Sequence, residues 1–321
     1  GFAGSSAHDT SPRRRYPALM GRLVLSAHAK VNLALSVGPP IADGPRAGMH
    51  PIASWMAPVE LSDTIEIATL EPGSDARAEI VGDGVQVNWL VANDLTLRAV
   101  RALEDEAGRS LPVGVRVTKR IPAGGGLGGG SSDAAAVLRG VDALLGRGHG
   151  LGLGHDKLRA IAATLGSDIP FFIDDAVDLE RPGGGDLPPR PALVGGLGDE
   201  IERLEPVAGE LVLICPPLGC PTGEVYDASM FNDLEGAAMA VRPELEDMRR
   251  AVSELLGQLG ERLGGRRVHL SGSGSTLFVF GGEDEARAIN GAAGGALPAG
   301  TRAIATRLAG ANAAAEAKRD G

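Results

Sequence analysis

The segment best suited to chemistry is Pro122-Ala-Gly-Gly-Gly-Leu-Gly-Gly-Gly-Ser-Ser-Asp133, a glycine run set between an apolar strand pattern and an apolar-faced helix pattern. Glycine reaches backbone conformations barred to other residues and removes side chains from the path of a ligand. Ser131 and Ser132 stand where the helix should begin. Unpaired N–H groups and the positive end of the helix dipole converge at such a point, which is the physical basis of a phosphate cradle. Three more segments carry usable groups: Lys30 and Asn32, two apart on a strand and so on one face; Asp168 in Gly166-Ser-Asp-Ile-Pro-Phe-Phe172, after a helix stop; and Ser271-Gly-Ser-Gly-Ser275, whose small residues let two backbones approach. Taken singly, each has a plainer reading: a connector with a serine cap, a solvated lysine, a capping carboxylate, a glycine-rich hairpin.

The type of phosphate loop can be narrowed. The Walker form needs a lysine before the serine, and Ser131 has none. Gly124, Gly126 and Gly129 do satisfy G-x-G-x-x-G, which would imply NAD(P) binding. The match lies mid-chain behind Pro122, and about twenty residues on stands GRGHGLGLGH rather than a strand ending in an acid. The G-x-S-x-G elbow of serine hydrolases is absent at 127–133 and at 271–275.

These groups must be positioned by the elements around them. Leu23 to Val37 reads as strand, with Val31, Leu33, Leu35 and Val37 alternating, and Asp63 to Leu70 reads as another. Asn93 is a candidate N-cap for a helix carrying Leu97, Val100 and Leu103 and stopping at Gly108. Val113, Val115 and Val117 alternate into Pro122. From Ser132, Val137, Leu138, Val141, Leu144 and Leu145 form one helical face, and Asp156–Leu165 forms a second helix. Asp174 to Pro191 turns acidic and rich in Pro and Gly, and reads as a surface excursion. Beyond it come strand 210–214, helix 243–263, strands 267–270 and 276–280, helix 283–293 and strand 301–308, a βαββαβ order. The expected divisions are a disordered tail over 1–21, an ATP-binding domain over 22–176, a linker with insertion over 177–204, a second domain over 205–310 and a flexible tail over 311–321.

Composition bounds the partners. The 321 residues carry 31 basic and 41 acidic side chains, a net charge of −10, the opposite of the basic footprint of a nucleic-acid binder. With 43% hydrophobic and 22% charged residues the chain should fold. No window nears the ~18 apolar residues of a membrane span, and the first twenty residues lack an apolar signal core; a soluble, cytoplasmic protein is expected. Cys215 and Cys220 have no further soft ligand nearby, so they read as two buried thiols rather than a zinc site.

AKVNLALSV, PAGGGLGGGSSDAAA, LGSDIPFF and LSGSGS occur in this order within 23–308, and in this combination the chain resembles the GHMP kinase superfamily. The resemblance is nearest to the branch acting on 4-diphosphocytidyl-2-C-methyl-D-erythritol in non-mevalonate isoprenoid synthesis. It implies an α+β, two-domain GHMP kinase fold, with an N-terminal domain like ribosomal protein S5 domain 2 and a C-terminal ferredoxin-like domain. It implies ATP as co-substrate with Mg2+, and phosphorylation of the 2-hydroxyl of the cytidyl diphosphate of methylerythritol. By the same resemblance Asp168 is the general base and Lys30 its ion-pair partner, an arrangement that suits phosphoryl transfer by positioning and electrostatics. Pro122, Gly124, Gly125, Gly126, Leu127, Gly128, Gly129, Gly130, Ser131 and Ser132 would wrap the phosphates, with Lys119 towards the adenine. Asn32, His50, Thr222, Tyr226, Ser271, Gly272 and Ser273 would join Asp168 on the substrate side. The implied partner is this small molecule, with no nucleic acid or membrane, and the implied state a monomer or homodimer. The alternatives are a superfamily kinase for another small alcohol, of homoserine or mevalonate type, and a nucleotide-binding module without turnover. Three departures touch the substrate side or rim: Met49 stands before His50 where the family has tyrosine, the stretch from Tyr226 to Asn232 is short, and 174–191 expands a short glycine turn.

Overall fold

The computed structural model describes residues 21–310 apart from 88, 150, 178, 180–186, 219, 221–233 and 259–266. The expected tails, apart from Gly21 at the end of the first, and Thr222 and Tyr226 lie outside the described residues. Two sheets organise the rest. The first is built on a long antiparallel pair, β1 (Arg22–Val37) and β2 (Ile52–Thr69). Its order is β3-β4-β2-β5-β6, with β1 paired to β2 off this path. Here β3 (Arg77–Gly82) runs parallel to β4 (Val113–Lys119), and β5 (Ala192–Gly195) and β6 (Glu200–Arg203) form a hairpin on the first half of β2. Within the expected linker, residues 192–195 and 200–203 are therefore strands of this sheet.

Helix α1 (Leu95–Ala107) is capped by Asp94, whose side chain accepts from the Thr96 N–H at 2.9 Å, and ends at Gly108 with φ 63°. The cap is Asp94 rather than Asn93 because 91–93 already forms a 3-10 turn. Helix α2 (Gly129–His149) begins three residues earlier than expected, inside the glycine run. It buries Ala134 to Leu138, Val141 and Leu145 against β1 and β2. Helix α3 (Gly154–Leu165) stops at Gly166.

The second sheet has the order β10-β7-β9-β8, all antiparallel: β7 (Glu210–Cys215), β8 (His269–Leu270), β9 (Leu277–Phe280) and β10 (Arg302–Arg307). Helices α4 (Leu234–Val241) and α5 (Glu244–Gln258) connect β7 to β8, and α6 (Glu283–Ala292) connects β9 to β10. This is the ferredoxin-like arrangement with one additional helix ahead of the expected long one. Cys215 and Cys220 are free buried thiols, and burial pushes Cys215 up to about 11.

The sheets meet where β1 and β2 lose regular pairing. Their register shifts between His28 and Lys30 and again between Asn32 and Ala34, the local bending expected of bulges. At the first shift Val59 bridges Leu308, and Ala309 donates its N–H to the Pro58 carbonyl at 2.9 Å. Ala29, Val31, Val59 and Leu127 pack there on Leu211, Leu213, Phe278 and Leu308. Each fully buried large side chain contributes roughly 1.5–3 kcal/mol, so this cluster holds the sheets at a fixed distance. Lys30 and Asn32 lie between the two shifts, on the open side of the joint.

Candidate functional site

A cavity of about 730 Å³ opens beside that joint. It is lined by Lys30, Asn32, His50, Lys119, Pro122, the glycine loop from Gly124 through Leu127 to Gly130, Ser131, Asp168, Gly272 and Ser273. Residues spread over more than two hundred positions thus share one space.

The loop earns its glycines by geometry. Positive φ recurs at Gly124 (70°), Gly126 (73°) and Gly128 (69°), an alternation that turns successive N–H groups towards one side. Ser132 N–H makes the first helical bond, to the Gly128 carbonyl at 2.8 Å, leaving the N–H groups of Gly129, Gly130 and Ser131 ahead of it. Three neighbours fix the loop in place. The Lys30 N–H donates to the Leu127 carbonyl at 2.9 Å, the Thr276 N–H to the Gly125 carbonyl at 3.2 Å, and the Ser271 hydroxyl to the Gly126 carbonyl at 3.3 Å. A Cβ on Gly126 would fall inside contact distance of the Ser271 carbonyl and 3.0 Å from that of Gly274. Ser271 and Ser132 do not line the cavity; both hydroxyls are turned to backbone carbonyls, that of Ser132 to Gly129 at 2.9 Å.

Lys30 is 3% exposed and faces two acceptors, Asn32 Oδ1 at 2.6 Å and Asp168 Oδ2 at 3.5 Å. The Asn32 amide donates to Ser54 Oγ at 2.7 Å, and Ser54 donates to the Ala34 carbonyl at 2.9 Å, so the amide cannot flip without losing a bond. His50 Nδ1 lies 2.9 Å from the Gly38 carbonyl, which requires Nδ1 to donate and leaves the neutral ring with Nε2 as acceptor.

Lys119 sits between two carboxylates, with Nζ 2.5 Å from Asp63 Oδ2 and 2.5 Å from Asp133 Oδ2. Asp63 Oδ1 also accepts the N–H groups of Arg120 and Ile121, the latter at 2.9 Å. Burial works to lower the Lys119 pKa, but Asp133 and Asp63 outweigh it and hold the ammonium above its ordinary value. Burial, helped by Asp63, raises Asp133 well above the usual carboxylate range despite Lys119. Asp133 Oδ1 is buried without a hydrogen-bonding partner among the described residues. The triad ties β2, the end of β4 and the first turns of α2 together under the loop.

The cavity also takes in Trp89, Asn93, Asp94, Leu95, Met56 and Leu197. Trp89 Nε1 donates to Asp94 Oδ2 at 2.7 Å, fixing an indole at the end where Lys119 lies. One sign was available in the sequence: Trp89 is one of only two tryptophans. Among the described residues no three His, Cys, Asp or Glu side chains are grouped to hold a metal ion, and no helix is long and apolar enough to cross a membrane.

Comparison with known proteins bears on this arrangement. Residues 94–175 match the GHMP kinases N terminal domain. A 4-diphosphocytidyl-2-C-methyl-D-erythritol kinase of Anaeromyxobacter sp. (strain Fw109-5) is 35% identical over 288 residues, covering 80% of this chain and 81% of that protein. The protein of the same name from Geobacter sp. (strain M21) is 34% identical, covering 84% and 93%. A solved 4-(cytidine 5'-diphospho)-2C-methyl-D-erythritol kinase superposes with a TM-score of 0.64 at 31% identity, over 90% of this chain and 100% of that one. Homoserine kinase from Cytophaga hutchinsonii, at 12% identity, 92% of this chain, 96% of that one and a TM-score of 0.55, shares the fold alone.

Proposed function

The chain belongs to the 4-diphosphocytidyl-2-C-methyl-D-erythritol kinase family of the GHMP kinases, and from that premise we propose that it transfers the γ-phosphoryl group of ATP to the 2-hydroxyl of 4-diphosphocytidyl-2-C-methyl-D-erythritol. It is a small-molecule kinase; the residue roles that follow are our reading. Asp168 takes the proton of the substrate hydroxyl, the hydroxyl oxygen attacks the γ-phosphorus, and the bond to the β-bridging oxygen breaks to release ADP. Lys30 orients Asp168 and faces the charge that develops on the transferring group, and Asn32 holds the substrate near its reacting end. Support for this division is the 3.5 Å ion pair and the 2.6 Å lysine–amide bond at the floor of one cavity. Phosphoryl transfer needs little beyond such positioning and electrostatics.

The triphosphate lies along Gly124 to Ser131, whose N–H groups supply donors, and the adenine lies towards Lys119, Trp89 and Leu95. The cytosine lies towards His50, whose Nε2 can accept from the exocyclic amine, with Met49 as the adjoining apolar surface. The chemistry a bound Mg2+ would supply here is neutralisation of phosphate charge. Ser131 and Asp168, which line the cavity beside the glycine loop, are the residues that would hold the ion there. A cytoplasmic location, where ATP is made, goes with this reading.

The observation that carries the proposal is the convergence of Lys30, Asn32, Asp168 and the glycine loop on one cavity. The test is Asp168→Asn. Turnover should fall by about 10³-fold or more, within the range removed with a general base, while ATP affinity measured by calorimetry stays within a few-fold. Retained turnover in the variant would dismiss Asp168 as base, and turnover of homoserine in place of the cytidyl compound by the wild type would overturn the substrate.

A further inference from the structure

The hairpin β5–β6 contributes only Leu197 to the cavity, yet it touches the segment bearing Asp168 at two separate points. That segment is a rigid unit. Ile169 N–H donates to the Gly166 carbonyl at 3.3 Å, Phe172 to Ile169 at 3.0 Å and Ile173 to Pro170 at 3.1 Å, so consecutive tight turns carry the backbone from 166 to 173. Ile169, Phe171 and Ile173 are fully buried, which anchors it to the core.

At the tip of the hairpin Gly198 adopts φ 95° and lies so close to the segment that an added Cβ would stand 2.8 Å from the Ser167 carbonyl carbon. At the base, the Arg203 guanidinium donates from Nη2 to the carbonyls of Phe171 (2.7 Å) and Ile173 (2.9 Å), and from Nη1 to that of Arg190 (2.9 Å). Its plane also lies 5.4 Å from the centre of the Phe171 ring. Fully buried Asp174 closes the same corner, accepting from Arg190 Nη2 at 2.8 Å and from the Arg190 N–H at 2.7 Å. The contacts at the two ends of the hairpin thus bracket residue 168, at 167 on one side and at 171 and 173 on the other.

We propose that Arg203 and Gly198 are positioning residues for Asp168: the hairpin sets where the carboxylate stands relative to Lys30 and the glycine loop. The inference rests on the reading of Asp168 as the base. The planar guanidinium holds donors on two separate nitrogens in a fixed fork, one towards Arg190 and one towards Phe171 and Ile173, whereas a lysine would bring all its donors from a single nitrogen; and only glycine fits at 198 without displacing Ser167. Misplacing a reacting group by about an ångström can cost on the order of 10²-fold in rate. The hairpin makes no contact with the glycine loop in the bonds described above, so nucleotide affinity should not follow.

The test compares Arg203→Lys and Gly198→Ala with Asp168→Asn and with Gly108→Ala. The last sits at the end of α1 with φ 63° and open space around it, and serves as a destabilised control. The clamp predicts that R203K and G198A lose kcat by about 10- to 100-fold with the ATP dissociation constant unchanged within about twofold, while G108A loses stability and keeps kcat. If R203K fails to fold, G198A decides alone. Lowered melting temperatures with full kcat in R203K and G198A, beside an inactive D168N, overturn the clamp and leave the base standing. A parallel loss of ATP affinity also overturns it. Turnover retained in D168N removes the base itself.

Discussion

Gly126→Ala isolates the closest approach in the site, that between the glycine loop and the Ser271 turn. Two costs can be separated. The first is conformational: φ 73° suits glycine, and an alanine there costs roughly 1–2 kcal/mol. The second is steric, because the new Cβ meets the carbonyls of Ser271 and Gly274, which are backbone and cannot rotate away. Relief requires the two segments to part, with loss of the Ser271 bond to Gly126 and strain in the Thr276 bond to Gly125, each about 1 kcal/mol. The total is about 3 kcal/mol, a shift of roughly 6–12 °C in melting temperature for a chain of about 150–250 residues and correspondingly less for this longer one. Gly108→Ala incurs the first cost without the second, since nothing lies within 4 Å of its added Cβ. Urea denaturation of both variants should therefore show G126A about 2 kcal/mol less stable than G108A, and kinetics should show kcat/KM for ATP lowered about 10²-fold in G126A only. Equal losses of stability in the two variants, with an unaltered KM for ATP in G126A, would refute the argument that this approach shapes the phosphate site.

Lys119→Met leaves Asp63 and Asp133 buried without their cation, and breaking a buried ion pair from one side costs about 3–5 kcal/mol; urea midpoints check this, and a loss under 1 kcal/mol would contradict it. Asp133→Asn addresses the same triad by pH. Burial raises the folded-state pKa of Asp133, so the stability this proton supplies is complete below the unfolded value near ~3.9 and is lost as pH rises through the folded value. The variant cannot titrate there, so its melting temperature should gain on wild type as pH rises above about 4, and a constant difference across the range would contradict the upward shift of Asp133.

The sequence is legible where local chemistry and local geometry coincide. The glycine loop could be read because alternating positive φ leaves glycine as the natural choice and the helix after it has an unbroken apolar face. Strand β2 was legible only in its second half, where Ile65 and Ile67 alternate; its first half, Ile52 to Leu61, runs opposite both register shifts of β1, carries Pro58 at the joint and shows no clean period. The hairpin β5–β6 was hidden for another reason: its strands are four residues each, and Ala192-Leu-Val-Gly195 is apolar throughout, so the buried Ala192 and Val194 cannot be told from the exposed Leu193, while the Asp174–Arg190–Arg203 corner that ties its base leaves no local signal. Contacts across long separations left no trace. Asp63 meets Lys119 across 56 positions and Ser271 meets Gly126 across 145, and neither spacing follows from strand or helix period.

The charge of the cavity explains why the loop is glycine and not lysine. Its charged lining residues are Lys30, Lys119, Asp94 and Asp168, two of each sign, and both ammonium groups already face carboxylates. Side chains therefore give a polyanion little net attraction, in a molecule whose own charge is −10. The attraction in our reading comes from backbone N–H groups at the loop and at the start of α2, which are fixed by the fold and carry no counterion of their own. A lysine in the loop would add charge but would need space that the approach of Ser271 and Gly274 removes. Glycine permits both the convergence of N–H groups and the contact of the two sheets' loops around them. The same contact brings Gly272 beside Lys30 and Asn32, its would-be Cβ at 3.2 Å and 3.3 Å from their polar atoms, so the second sheet helps to enclose the ion pair to which we assign proton transfer. In our reading, closure of the phosphate site and orientation of the base are thus consequences of one packing arrangement, set where β1 and β2 lose their regular register.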